Sequence, residues 1–178
     1  LGLTTVFSII RKHDGMITVE SEHGKGTTFH IYLPASSKEI ISHNEIKATA
    51  PSGKGKILVM DDDDMVRDVA GEILKSVGYK VEFAKDGAEA IELYQKARKS
   101  GESFDVVIMD LTIQGGMGGR EAIKKLLTID PQVKAVVSSG YSNDPIMANF
   151  KDYGFGAVIS KPYNVIDLSK TLHKLINS

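Results

Sequence analysis

The chain has 178 residues with a formal net charge of -1, and 42% of them are hydrophobic, so it has enough apolar mass for one substantial core and is not disordered throughout. The near-neutral balance predicts no general attraction to nucleic acid or membrane lipid, and the lack of cysteine excludes disulfides and thiolate metal sites. No apolar stretch approaches the roughly 20 residues that a membrane-spanning helix needs, which favours a cytoplasmic location without direct membrane contact.

The first part of the chain, residues 1–34, predicts one helix and one β-hairpin. Residues 3–12 carry apolar side chains at helical spacing, and segments 16–20 and 27–33 alternate as strands do around a glycine-containing turn. A single helix and hairpin bury too little surface to be stable alone, so we expect this part to belong to a larger body. The chain also begins at Leu1 within the predicted helix, which predicts a piece of a longer protein.

The middle of the chain, residues 35–55, predicts a linker between two domains. It is rich in serine, lysine, glutamate, asparagine, alanine and glycine, lacks sustained periodicity and closes with "PSGKGK". Beyond it the pattern changes to strands that alternate with helices.

The last part, residues 56–178, predicts a doubly wound α/β domain. Five short runs are rich in β-branched residues and mostly lack polar alternation, as strands buried on both faces do: 56–60, 80–84, 105–109, 134–138 and 157–160. Amphipathic helical segments lie between these runs and after the last one. Right-handed crossovers then give a five-stranded parallel sheet with helices on both faces, whose ligand crevice lies beyond the carboxyl ends of the strands.

Polar side chains stand at those carboxyl ends. Asp61 and Asp62 follow the first strand, Asp110 ends the third, and Ser139 and Lys161 end the fourth and fifth. Three carboxylates on one rim repel one another by ~4 kcal/mol per pair at about 4 Å with an effective dielectric near 20. Because Lys161 supplies one positive charge and all-oxygen ligands suit magnesium, the sequence predicts a Mg²⁺ site here.

An aspartate that follows a strand is often a helix cap instead. That explanation suits Asp63 and Asp64, which complete the run of four aspartates and stand where the first helix of this domain begins. It does not suit Asp110, because "LTIQGGMGG" with its four glycines separates this residue from the next helix.

Four motifs in the last part are similar to the signatures of the response-regulator receiver domain of two-component systems. They are "ILVMDDDDMVR", "VVIMDL", "VVSSGYS" and "SKPY", in that order and with suitable separations. The resemblance covers residues 56–178 and implies a flavodoxin-like fold with strand order 2-1-3-4-5. It also implies a phosphorelay function, in which Asp110 takes a phosphoryl group from a phosphohistidine and the domain changes conformation for signalling.

The same resemblance implies a metal-ligand set for this sequence. Asp62 is implied as a direct Mg²⁺ ligand, Asp61 as a residue that acts mainly through water, and Asp110 as both acceptor and ligand. The family's third protein ligand is a main-chain carbonyl, which falls on Thr112.

Two further residues match the family's functional positions. Ser139 matches the switch hydroxyl, and Lys161 matches the family's lysine, whose bond to Pro162 resembles a cis peptide of the family. A carboxylate can attack phosphorus to give an acyl phosphate, and catalysis of such a step consists largely of positioning and charge neutralisation. Mg²⁺, Lys161, Ser139 and backbone amides after Asp110 would supply that neutralisation.

The sequence departs from the family pattern in two places. Three residues before the lysine the family usually carries an aromatic residue, but here that position is Val158, and Tyr141 or Phe155 is an alternative for its coupling role. Four residues after the acceptor the family often has proline, whereas this chain has Gln114 followed by "GGMGG". We expect a more flexible loop there.

Residues 1–34 resemble the end of the ATP-binding domain of histidine kinases, through "LGL" and "HDGMITVESEHGKGTTFHIYLP". Gly2 and Thr27 match family positions near ATP, but the motifs for magnesium and adenine and the helix with the phosphoaccepting histidine are not in the sequence. We therefore expect no nucleotide binding. The parent resembles a hybrid sensor histidine kinase with a C-terminal receiver, and its membrane anchoring stays open.

The resemblance implies a partner that carries a phosphohistidine, either the kinase core of the parent or a histidine phosphotransfer protein. No output domain follows Ser178 in the sequence, which disfavours a nucleic-acid partner. We expect docking to use residues 65–77 of the first receiver helix and the loops around Asp110.

Two other functions stay open on the sequence. A hydrolase with an aspartate nucleophile, of the haloacid-dehalogenase type, is expected to carry a second aspartate where Thr112 stands. A receiver-like module that binds partners without phosphorylation would have little reason to keep Asp61, Asp62, Asp110, the hydroxyl and the lysine together. As an enzyme, this chain supports only phosphoryl transfer to its own Asp110, and kinase activity would belong to the parent.

Overall fold

The computed structural model describes residues 2–35, 51–140 and 144–178. They form two compact units, with residues 2–35 in the first and the later residues in the second. Most of the predicted linker, residues 36–50, lies outside the described residues, and so does Tyr141.

The first unit consists of the predicted helix and hairpin. Helix α1 is followed by strands β1 and β2, which pair antiparallel in one register along their whole length: Gly2–Lys12, Met16–Glu22 and Gly26–Tyr32. In the turn, Gly24 and Gly26 have φ angles of 78° and 108°, in the left-handed region that favours glycine. The glycines of this turn therefore fix the register of the hairpin.

The first unit leaves most of its apolar side chains exposed. Ile10 is buried with 8% exposure, whereas many large apolar residues are exposed: Leu3, Val6, Phe7, Ile9, Met16, Val19, Phe29, Ile31, Tyr32 and Leu33. An exposed apolar surface of this extent is typical of a region that packs against another protein domain or segment. The helix and hairpin thus bury too little of their own surface for independent stability.

The second unit contains a five-stranded parallel sheet. Its strands are β3 (Lys56–Met60), β4 (Lys80–Ala84), β5 (Val106–Asp110), β6 (Ala135–Ser139) and β7 (Ala157–Ser160). Their order across the sheet is β4-β3-β5-β6-β7, which confirms the predicted order 2-1-3-4-5. Strands β5 and β6 begin and end one residue later than the sequence pattern predicts, so Asp110 and Ser139 are the last residues of their strands.

Helices cover both faces of this sheet. They are α2 (Asp64–Ser76), α3 (Gly87–Ser100), α4 (Gly119–Ile129), α5 (Pro145–Ala148), a 3-10 turn (Phe150–Tyr153) and α6 (Val165–Ile176). In its described residues, the connection between β6 and β7 thus holds only a short helix and a 3-10 turn, and both the backbone N–H and the side-chain amide of Asn149 donate to the Pro145 carbonyl, at 3.1 and 3.2 Å. Among the described helices, none is long and apolar enough to cross a membrane.

Two apolar clusters lie on opposite faces of the sheet. On β3, Ile57 and Val59 belong to one cluster, and Leu58 and Met60 belong to the other. All four side chains are at most 1% exposed. Burial on both faces explains why the strands lack polar alternation.

The run of four aspartates divides as the sequence predicts. Asp63 is the N-cap of α2, and its side chain accepts the main-chain N–H groups of Met65 and Val66 at 2.9 and 3.4 Å. Asp64 is the first helical residue, where the helix dipole favours a negative charge. The first two aspartates are therefore left for another role.

Residues 51–55 pack on the second unit before β3 begins. The hydroxyl of Ser169 on α6 donates to the Pro51 carbonyl, and the Gly53 N–H donates to the Val77 carbonyl at 2.9 Å. Ser169 is fully buried. The chain is consequently tied to this domain from Pro51 onward.

Tyr94 joins α3 to the segment that follows α4. Its hydroxyl donates to Asp130 at 2.8 Å, and Arg98 lies 3.7 Å from the same carboxylate. Burial acts to raise the pKa of Asp130, but the hydrogen bonds from Tyr94 and Gln132 and the charge of Arg98 outweigh it and lower the pKa.

We expect Tyr94→Phe to lower the free energy of unfolding by about 1 kcal/mol at neutral pH, since one partly buried hydrogen bond is lost. A carboxyl group with a lowered pKa stabilises the fold above its unfolded pKa, and this contribution is lost as the pH falls. The difference from wild type should therefore shrink below about pH 4. Urea denaturation of both proteins at neutral pH and below about pH 4 measures this difference in the free energy of unfolding. A difference that grows in acid would contradict the lowered pKa of Asp130.

Candidate functional site

Three carboxylates meet at the carboxyl edge of the sheet. Asp61 and Asp62 directly follow β3, and Asp110 ends the neighbouring strand β5. One carboxylate oxygen of each lies within 4.8 Å of the others. Asp61 is 1% exposed, whereas Asp62 faces solvent. The structure thus brings together the three aspartates that the sequence predicts at the carboxyl ends of the strands.

Lys161 lies between two of these carboxylates. It directly follows β7, and its Nζ is 2.5 Å from Asp61 Oδ2 and 2.9 Å from Asp110 Oδ2. Only 17% of the lysine side chain and 12% of the Asp110 side chain are exposed. Such shielded ion pairs are screened less by salt than surface pairs are.

The site shifts the pKa values of Asp110 and Lys161. Burial raises the pKa of Asp110, and it outweighs the hydrogen bond and charge of Lys161, which act to lower it. Burial acts to lower the pKa of Lys161, but its close polar contacts with the carboxylates of Asp61 and Asp110 outweigh burial and raise the pKa. The lysine is therefore charged at neutral pH, while ionisation of Asp110 costs folding free energy.

The donor set fits a hard divalent cation. All three aspartates offer oxygen, and one ammonium group leaves the cluster with an excess of negative charge when the carboxyl groups are ionised. Among the described residues, the buried Oδ2 of Asp61 has no well-directed hydrogen bond besides its charge contact with Lys161. Oxygen ligands with a solvent-exposed side are the arrangement that Mg²⁺ prefers.

The loop after β5 is bonded to this cluster and to the start of α3. The Gln114 N–H donates to Asp62 Oδ2 at 3.2 Å, and the Met117 carbonyl accepts the Gly87 N–H at 2.8 Å. At Gly118 an added Cβ would come within 2.5 Å of the Leu111 carbonyl oxygen, so the close approach requires glycine. Glycine at this position therefore permits the close approach, and the greater flexibility expected of the loop stays a prediction.

Gln114 explains one departure from the family pattern. A proline at this position would have no N–H and could not donate to Asp62. Thr112 lies earlier in the same loop with an exposed side chain, and its carbonyl as a metal ligand stays a prediction.

The end of β6 adjoins β5, the strand that ends at Asp110. Ser138 pairs with Asp110 in the sheet register, and its carbonyl accepts the Leu111 N–H at 2.9 Å. Ser139 is 3% exposed, and its carbonyl accepts the Lys161 N–H at 3.0 Å. The predicted switch hydroxyl of Ser139 thus lies on a strand that contacts the loops that begin after Asp110 and at Lys161.

Two residues near the site were missed by the sequence reasoning. The Arg67 guanidinium donates to the Asp61 carbonyl and to the Asp64 carboxylate. Its spacing of three residues from Asp64 on α2 was a usable signal. The Tyr163 hydroxyl lies 2.9 Å from Ser138 Oγ, a contact between distant parts of the chain for which the sequence has no signal.

The two alternatives for the missing aromatic residue have different outcomes. Phe155 is only 2% exposed and packs in the apolar cluster with Val158 at its edge. The ring thus has a packing role in the core, and its coupling role stays a prediction. Tyr141 lies outside the described residues.

Fold and site together define a doubly wound α/β domain that carries an aspartate cluster and a lysine at its carboxyl edge. The family model for the response regulator receiver domain matches residues 57–173. The chain belongs to this family, whose members are phosphoacceptors.

Three comparisons with individual proteins agree with this assignment. The chemotaxis protein CheY of Thermotoga maritima is 30% identical over 67% of this chain and 96% of its own length. The structure of Vibrio cholerae CheY4 has a TM-score of 0.61 at 30% identity and covers 69% of this chain and 99% of that one. The sensor kinase CckA of Brucella abortus is 33% identical over 99% of this chain, which spans only 19% of that protein.

Proposed function

We propose that this chain acts as the receiver of a phosphorelay and takes a phosphoryl group from a phosphohistidine onto Asp110. The observation that carries the proposal is the pairing of one lysine, Lys161, with the acceptor Asp110 and the buried Asp61. Such a lysine holds the acceptor in place and opposes the negative charge that the incoming group adds.

In the proposed step, one carboxylate oxygen of Asp110 attacks phosphorus and forms an acyl phosphate. The P–N bond to the donor imidazole breaks, and the electron pair of this bond stays on the imidazole nitrogen. The released histidine then takes up a proton from solvent according to its own protonation equilibrium. Because its pKa is raised, Lys161 stays protonated, and its positive charge attracts the phosphoryl oxygens.

Asp61, Asp62 and Asp110, with the Thr112 carbonyl, are the residues that would hold Mg²⁺. The bound cation would neutralise phosphoryl oxygens during transfer. Asp62 is held by the Gln114 N–H on one oxygen, which leaves its other oxygen for the cation. We also assign Ser139 as the hydroxyl that donates to the phosphorylated aspartate and shifts the conformation of its strand.

We further propose that residues 1–34 are the C-terminal part of a kinase ATP-binding domain, ahead of a linker over 35–55 and a receiver over 56–178. Two observations support this assignment: the exposed apolar face of the first unit, and the similarity to CckA, which extends over 99% of the chain. The parent would then be a hybrid sensor kinase. Because the unit lacks the rest of that domain, we expect no ATP binding to this chain.

The donor is proposed to dock beside the site on α2. Met65 and Val69 are 74% and 51% exposed on this helix, although both are apolar. They line a cavity of about 220 Å³ together with Pro162 and Tyr163 of the lysine loop. An apolar patch next to the acceptor suits a helix of a histidine phosphotransfer protein or of the kinase core.

We expect Met65→Asp to slow phosphoryl transfer from a phosphorylated histidine phosphotransfer protein by about tenfold, since a contact residue is lost and a charge must be buried. Phosphorylation by acetyl phosphate, which needs no docking, should stay at the wild-type rate. Lys96→Asp, an exposed change on α3, is the control and should affect neither reaction. Equal slowing with the small donor would contradict the docking assignment.

The proposed function is tested by intact-mass analysis after incubation with acetyl phosphate, with and without Mg²⁺. A single phosphoryl adduct that requires Mg²⁺ supports the receiver chemistry. Steady release of phosphate from simple esters would favour the hydrolase instead. A folded protein that binds Mg²⁺ but gains no adduct would favour an interaction module that works without phosphorylation.

A further inference from the structure

Ser138 connects the two loops that carry the acceptor and the lysine. It is fully buried, and its carbonyl accepts the N–H of Leu111, the residue after Asp110, at 2.9 Å. Its hydroxyl lies 2.9 Å from the hydroxyl of Tyr163, two residues after Lys161. One residue of β6 therefore contacts both sides of the site.

The lysine loop is consequently held on β6 at two adjacent residues. The Lys161 N–H donates to the Ser139 carbonyl at 3.0 Å, and Tyr163 reaches Ser138 through its side chain. Without the second contact, the loop would lose one of these two bonds to the strand. The side chain of Lys161 has to span from this loop to Asp110, so its reach depends on where the loop lies.

The ring of Tyr163 is itself fixed by apolar contacts. It packs against the cluster on its face of the sheet and forms one wall of the cavity that Met65, Val66 and Val69 line on α2. Burial raises the pKa of its hydroxyl to about 12, so the group keeps its proton at neutral pH. The hydroxyl is thus a preorganised partner for Ser138.

We infer that Tyr163 is a positioning residue for the phosphoacceptor site: through Ser138 it holds the Lys161 loop against β6 and so sets the distance between the ammonium group and Asp110. This deepens the proposed function, on which its kinetic consequence rests. The positional consequence is a property of the folded chain and can be measured without phosphorylation.

The first test compares Tyr163→Phe, Ser138→Ala and the double variant in the rate of Mg²⁺-dependent phosphorylation by acetyl phosphate. We expect each single change to slow the reaction about three- to tenfold, the effect of one hydrogen bond. The double variant should be no slower than either single one, because the same contact is lost. Additive slowing would overturn the inference.

Tyr94→Phe is the matched control. It also removes the hydroxyl of a largely buried tyrosine, whose 2.8 Å bond goes to Asp130 rather than to the lysine loop. It should cost a similar amount of stability and leave the phosphorylation rate unchanged. Equal rates for Tyr94→Phe and Tyr163→Phe would reduce Tyr163 to a structural residue and overturn the inference.

The second test follows amide hydrogen exchange by NMR in the unphosphorylated protein. In Tyr163→Phe, we expect the Lys161 amide to exchange about threefold faster or more, whereas the Lys80 amide, bonded to the Gly55 carbonyl at 2.9 Å, should not change. Unchanged exchange at Lys161 overturns the inference whatever the rate does. Faster exchange in a chain that acetyl phosphate never modifies would instead refute the proposed function and leave the positioning role in place.

Discussion

Asp110→Asn should give a folded protein that acquires no phosphoryl adduct from acetyl phosphate. The amide has no negatively charged oxygen to attack phosphorus, so the loss is expected to be complete within the detection of intact-mass analysis. Asp152→Asn, an exposed change on the 3-10 turn, serves as the control and should keep the adduct. An adduct on the Asp110 variant would move the acceptor to another residue.

The same variant has an expected effect on stability, whose sign follows from the pKa of Asp110. A carboxyl group whose folded pKa is raised stabilises the protein below its unfolded pKa, and this contribution is lost as the pH rises through the folded value. Without divalent cations, Asp110→Asn should therefore gain stability relative to wild type between about pH 4 and pH 7. Urea denaturation in the presence of a chelator measures this, and a relative loss over that range would contradict the raised pKa.

Lys161→Met should slow Mg²⁺-dependent phosphorylation by about a hundredfold or more, as expected when one charged group that stabilises a transition state is removed. It should also lower the free energy of unfolding by about 3 kcal/mol, because the buried Asp61 loses its charge partner. Adding Asp110→Asn to this variant should restore part of the stability but none of the activity, since one of the uncompensated carboxylates is removed.

Lys56 provides a matched control for the lysine. Its side chain is 18% exposed, close to the 17% of Lys161, and it lies 2.8 Å from Glu82 and 3.8 Å from Glu102 at the other end of β3. Lys56→Met should cost stability and leave the phosphorylation rate unchanged. If both lysine variants were equally slow, the effect would come from loss of folding rather than from the site.

The sheet and the residues at its rim were predictable from sequence because they follow from short-range patterns. Apolar runs without polar alternation mark strands buried on both faces, and parallel strands place all their carboxyl ends at one edge. Asp61, Asp110 and Lys161 could therefore be assigned to one place without knowing any contact between them. The role of Asp63 as a helix cap was predictable for the same reason, because a capping residue contacts only the backbone of the next few residues.

The contacts that were not predictable join residues far apart in the chain. The bond between Ser138 and Tyr163 depends on how a loop folds back across the sheet, and the Gln114 contact with Asp62 depends on the path of a glycine-rich loop. Neither has a periodic or compositional signal. The end of α5 at Ala148, where the backbone of Asn149 takes a non-helical conformation, has no such signal either.

The attachment of residues 51–55 decides where an isolated receiver should be cut for crystallisation or NMR. A version that starts at Lys56 would lose the Pro51 carbonyl that Ser169 binds, leaving a buried hydroxyl without that acceptor, and would expose the side of Tyr79 that Gly53 covers. A receiver that starts at Pro51 keeps these contacts. It also leaves out the exposed apolar surface of residues 2–35, which would promote aggregation at the protein concentrations that such experiments need.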